Sequence, residues 1–163
     1  MSTVYASTAT LRGKQPLEER LKLFRDHGIT DIELGDGVIL SGPFQPTTLP
    51  TSGKYMLHNY FPQPADPFIL NMASLNENIR QSSINLVRDA LKFTVALGAP
   101  AYTVHAGFIT DPDMKFVFPE PSGPDMERKT FEMFVRSIEE LIPDVEKTGV
   151  KLLIETNVTT EEN

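Results

Sequence analysis

The 163-residue sequence has no cysteine, which excludes disulfides and thiolate chemistry. Any metal must then be held by His, Asp or Glu, a donor set suited to zinc, manganese, magnesium or iron. No run approaches the roughly 20 apolar residues needed to cross a bilayer. Met1 to Lys14 has no basic start followed by an apolar stretch, so no signal peptide is expected and the chain reads as cytoplasmic. Basic clusters are missing as well. The 15 Lys and Arg are scattered, and the net charge is −7. Nucleic-acid binding draws much of its affinity from phosphate contacts made by a basic patch. The charge balance therefore argues against a nucleic-acid partner and for a small, weakly charged substrate.

What is present suits an ordinary globular protein, with 40% apolar and 23% charged residues, and a single domain over residues 1–163. Strand-like and helix-like segments alternate. Thr3 to Thr8 reads as a first strand. A helix opens at Pro16, with Leu17, Leu21 and Phe24 on one face, and closes at Gly28. Asp31 to Leu34 is a second strand, followed by an irregular Gly/Pro-rich crossover to Gly53. Lys54 to His58 is a third strand, and Asn59 to Leu75 is a long loop with three prolines. Asn76 to Leu97 is the clearest helix, with Ile84, Val87, Leu91 and Val95 in one apolar stripe. Ala101 to His105 is a fourth strand, and Ala106 to Pro124 a second long loop. In the helix from Met126 to Thr148, Phe131, Phe134, Val135, Ile138, Leu141, Ile142 and Val145 are expected to face inward, with a kink or break near Pro143. Glu139, Glu140 and Glu146 read as its solvated face. Val150 to Glu155 is a fifth strand, apolar enough to be buried on both faces. This order predicts an α/β fold with a parallel sheet and right-handed crossovers.

The chemistry lies at strand ends. His58, His105 and Glu155 each close an apolar strand and recur roughly every fifty residues. In a parallel barrel such positions share one rim, where active sites form. Two imidazoles and a carboxylate suit a divalent cation. A lone strand-end histidine is ordinarily structural, but three polar residues at equivalent ends of successive strands are harder to explain that way. Glu33, near the end of the second strand, is a candidate ligand, hydrogen-bond acceptor or sugar-hydroxyl binder. Asn59 and Asn157 follow the trio closely and are candidates for binding substrate hydroxyls. His27, at a helix C-terminus, reads as structural.

The segments DIELGDG (Asp31 to Gly37), YMLHNYFP (Tyr55 to Pro62), LGAPAYTVHAGF (Leu97 to Phe108) and VKLLIETN (Val150 to Asn157) resemble, in order and spacing, the xylose-isomerase-like TIM-barrel superfamily. That superfamily holds sugar isomerases and epimerases and the apurinic endonucleases. The resemblance implies a (β/α) barrel with about five of its eight strands in this sequence. It implies a divalent metal (Mn, Mg, Co or Zn) bound by Glu155, His105 and His58, with Glu155 and His105 catalytic. The favoured activity is isomerisation or epimerisation of a sugar by proton transfer beside a carbonyl. The alternatives are a zinc-dependent phosphodiesterase of the apurinic-endonuclease kind, or a non-catalytic barrel fragment acting in assembly. The family's later strands supply an Asp, a His and a second Glu, so this short chain is expected to hold an incomplete metal site and to be weakly active or inactive. Truncation of a longer chain is the preferred explanation, with a natural half-barrel completed by another copy or chain as the other.

Overall fold

The computed structural model describes residues 4–156. In chain order the elements are β1 (Ala6–Ser7), β2 (Gln15–Pro16), α1 (Leu17–Asp26), β3 (Asp31–Leu34), β4 (Val38–Ile39), β5 (Lys54–His58), α2 (Glu77–Ala96), β6 (Ala101–His105), α3 (Met126–Thr148) and β7 (Lys151–Glu155). Strands β1, β3, β5, β6 and β7 form one parallel sheet in that order, while β2 and β4 make a small separate pair. The architecture is the expected α/β one, five parallel strands of a TIM-type barrel with helices on the outer face.

Side-chain alternation sorts the sheet into two faces. Ile32, Leu34, Leu57, Tyr102 and Val104 are almost wholly buried and face the helices. Glu33, Met56, His58, Thr103, His105 and Glu155 occupy the opposite, concave face. Helix α2 starts where the Asn76 side chain accepts a hydrogen bond from the Asn78 N–H. Ile84, Val87, Ala90 and Leu91 are then fully buried. Burying a side chain the size of Leu contributes about 1.5–3 kcal/mol. Val95, expected to continue this stripe, is 49% exposed. Thr94 faces inward instead, its hydroxyl donating to the Ala90 carbonyl.

Several local expectations are corrected. The first strand is only Ala6–Ser7, because Thr8 turns away in a 3-10 turn and its hydroxyl bonds the Asp36 carbonyl; Thr3 lies outside the described residues. The crossover from Gly35 to Gly53 contains β4 and a short 3-10 turn, Pro46–Thr48. Helix α3 runs through Pro143 without a break. On α3, Leu141 is buried and Phe134, Ile138 and Val145 pack partly against the core, but Phe131, Val135 and Ile142 are exposed. Likewise β7 is not buried on both faces: Leu153 and Ile154 are exposed. Both departures have one cause. Among the described residues, β7 has no strand on its outer edge and no helix flanks α3 beyond α2. Glu140 is also not merely solvated. It accepts from the buried guanidinium of Arg80, which is bound bidentately by Glu77 and joins α2 to α3.

Candidate metal centre

His58 and His105 reach one place because β5 and β6 are staggered. Register pairs His58 with Thr103 and His105 with Glu155, so all four share the concave face at the C-terminal end of the sheet. The two imidazoles meet edge to face, with ring centroids 5.1 Å apart. His105 Nε2 lies 3.8 Å from Glu155 Oε2. One ligand atom from each of His58, His105 and Glu155 lies within 4.8 Å of the others. Two atoms bound to one zinc at about 2.1 Å are at most roughly 4.2 Å apart, so a small side-chain rotation closes the set. Gly35 lies beside the His58 ring, where an added methyl group would make an ordinary van der Waals contact with His58 at 3.6 Å.

The polar bookkeeping of the site favours a guest. His58 Nδ1 is buried and has no hydrogen-bond partner. A buried donor or acceptor left unpaired is costly, and an ion is one way of pairing it. His105 is held below the ordinary histidine range by burial and by the neighbouring His58, against the opposing fields of Glu155 and Asp36. Its imidazole is therefore favoured in the neutral form, the one that binds metals. Two imidazoles and one carboxylate are a donor set that fits zinc or another first-row dication and leaves further positions open.

The other predicted site residues fall differently. Glu33 is on the same face but level with Met56, one layer below His58, and is not in the ligand group. Asn59 is buried and holds the strand ends together. Its N–H donates to the Thr103 carbonyl, its side-chain oxygen accepts from the His105 N–H, and its carbonyl accepts from the Tyr102 hydroxyl. Asn157 lies outside the described residues. His27 caps α1 through a contact of Nδ1 with the Leu23 carbonyl, as expected of a structural residue. Asp36 was not anticipated. Its carboxylate field is the weakest of the influences acting on His105 and on Tyr60. The one hint in the sequence was its place between two glycines just past a strand end. A cleft of about 610 Å³ opens beside the turn after His105, between Ala106 to Ile109 and the first turns of α3.

The sequence model of the xylose isomerase-like TIM barrel family matches residues 13–161. The chain belongs to that family. No curated protein sequence matches it. Among solved structures it is similar to a D-tagatose 3-epimerase-like protein, at a TM-score of 0.70 and 19% identity over 96% of this chain and 54% of that one. An L-ribulose 3-epimerase gives a TM-score of 0.62 at 14% identity, over 93% of this chain and 48% of that one. A Thermus thermophilus protein soaked with zinc chloride gives 0.59 at 19% identity, over 94% and 55%. The family member described here thus spans about half the length of these relatives.

Proposed function

We propose that this chain carries part of the metal-assisted active site of a sugar isomerase or epimerase, acting on a small cytoplasmic sugar by proton transfer beside its carbonyl. The observation that carries this is the convergence of His58, His105 and Glu155 at the strand-end rim of a fold shared with sugar epimerases. A divalent cation (Mn, Mg, Co or Zn) held there would polarise the carbonyl and lower the cost of an enediolate. Glu155 serves as one ligand and as the base that takes the proton from the carbon next to the carbonyl. His105, neutral and half-buried, orients and polarises the substrate oxygen beside it, and His58 braces the opposite side. Glu33 below them is placed to accept a sugar hydroxyl. Asn59 acts mainly by fixing His105, and Asn157, two residues past Glu155, is a further candidate for a hydroxyl contact.

Epimerisation needs a second proton-transfer group facing Glu155, and none joins the trio among the described residues. The open face of β7 and α3 is where a further strand and helix would complete the barrel, whether from the same chain or another. The isolated chain is therefore expected to exchange a proton slowly and to complete little net turnover. The test is proton exchange of a ketose panel in D2O followed by NMR, with and without each metal. Slow, metal-dependent exchange that disappears in Glu155→Gln supports the reading. Exchange unaffected by that substitution, or no metal dependence at all, defeats it. Robust net epimerisation would refute the incompleteness of the site.

A second reading rests on the same donor set. Two histidines and a glutamate also suit a zinc phosphodiesterase acting on abasic DNA. Against it, the loop from Asn59 to Leu75 has no Lys or Arg, and the net charge is −7. Nicking of an abasic-site duplex, without exchange on sugars, would favour it.

A further inference from the structure

We infer that Asn71 is a positioning residue for the candidate metal centre: its buried side-chain amide binds both backbone groups of Phe108 and thereby fixes the turn that follows His105. This deepens the reading of the His58, His105 and Glu155 trio as a ligand set and rests on it.

Asn71 lies in the loop after β5 and is fully buried. Its Oδ1 accepts from the N–H groups of Phe108 at 2.9 Å and Ala73 at 3.0 Å. Its Nδ2 donates to the Phe108 carbonyl at 3.1 Å and to Asp111 Oδ1 at 2.8 Å. All four hydrogen-bonding capacities of the amide are used. Gripping the N–H and C=O of one residue with one amide imitates a strand pairing where no strand exists. The arrangement is supported from both sides. The Asn71 N–H donates to Ser83 on α2 at 2.9 Å, and the second Asp111 oxygen accepts from the Ser74 hydroxyl at 2.7 Å. Gly107 sits between with φ +126°, and a side chain there would collide with the Asn71 amide oxygen.

The His105 N–H makes a 3.5 Å contact with the Asn59 side-chain oxygen, and the next N–H, of Ala106, bonds the Glu155 carbonyl at 3.1 Å. Three residues past His105, both backbone groups of Phe108 are bonded by Asn71. The turn that His105 enters is thus tied to β7 at Ala106 and to Asn71 at Phe108. Through Ser83, the packed helix α2 is coupled to the metal-facing rim.

The test compares wild type with Asn71→Ser, whose side chain is too short to hold both Phe108 groups, and with the exposed control Lys92→Ala. Folding is checked by circular dichroism and thermal midpoint. The readouts are the NOE between the His58 and His105 ring protons and Co(II) affinity from visible absorbance. A folded Asn71→Ser is expected to lose most of that NOE and to weaken Co(II) binding by roughly 10- to 100-fold, the range for partners that orient metal ligands. Lys92→Ala should match wild type in both. If Asn71→Ser does not fold, Gly107→Ala, which pushes the same amide aside, takes its place under the same criteria. A folded variant with an unchanged NOE overturns the inference, as does Co(II) affinity within twofold of wild type. If wild type binds no Co(II), the metal reading fails by itself, and the NOE still decides whether Asn71 positions His105.

Discussion

Replacing His58 by leucine should stabilise the metal-free protein while abolishing its response to metal. His58 Nδ1 is buried without a partner, and such a group costs about 1–3 kcal/mol. Leucine removes that cost at similar volume. It also removes the edge-to-face contact with the His105 ring, 5.1 Å away, worth about 0.5–1.5 kcal/mol for an aromatic pair. The balance is a gain of about 1 kcal/mol, or roughly 2–4 °C in thermal midpoint for a chain of this size. Wild type behaves oppositely when metal is present. At a free zinc concentration one hundred times the dissociation constant, the native state gains about 2.7 kcal/mol, or roughly 5–11 °C. Thermal scans of both proteins with and without zinc, manganese or cobalt measure the two effects together. The reasoning is refuted if metal-free His58→Leu melts several degrees below wild type, or if it keeps the wild-type shift on adding metal. The first result would make His58 a structural residue, and the second would place the ion elsewhere.

Two further expectations concern pH. His105 should titrate below the ordinary histidine value of 6.5, since burial and His58 disfavour its charged form. Glu155→Gln should lower it further by removing a favourable field, and an upward shift in the ring NMR titration would contradict this placement. Its contribution to stability is then present above 6.5 and lost as pH falls below it. On the outer face, Glu77 is held down to about 2, first by its hydrogen bond from Arg80 and then by that from Gln81. A carboxylate lowered in this way stabilises the fold above its ordinary value of 4.5, and that stability drains away as pH falls toward 2. Urea midpoints measured across this window should decline more steeply for wild type than for Arg80→Met; equal slopes would deny the pairing its role.

The parts of the fold that could be read in advance are those written locally. Lys54–His58 and Ala101–His105 fall where β-branched and apolar runs stop at a histidine, and α2 lies between an Asn cap and the Gly98 and Pro100 that end it. The trio was legible because equivalent strand ends in a parallel sheet share a rim, so residue type and order were enough. What escaped was set by neighbours. The apolar run of β7 states what the strand is able to bury, not whether anything lies beside it, so Leu153 and Ile154 read as core and are exposed. Phe131, Val135 and Ile142 mislead for the same reason. Glu140 read as solvated because its partner Arg80 sits on another helix. Asn71 was invisible: an asparagine in a proline-rich loop looks like turn chemistry, and only tertiary structure shows its amide replacing a missing strand partner. Asp36 escaped because its reach toward His105 depends on how β3 sits beside β5.

The central claim is that two imidazoles and one carboxylate from three successive strand ends grip one ion. X-ray absorption of the zinc-loaded protein tests it most directly. The account predicts two imidazole nitrogens at about 2.0–2.1 Å and a carboxylate oxygen in the same shell, with one imidazole lost in each of His58→Ala and His105→Ala. A zinc spectrum that shows only oxygen ligands, or one that neither substitution changes, would contradict it.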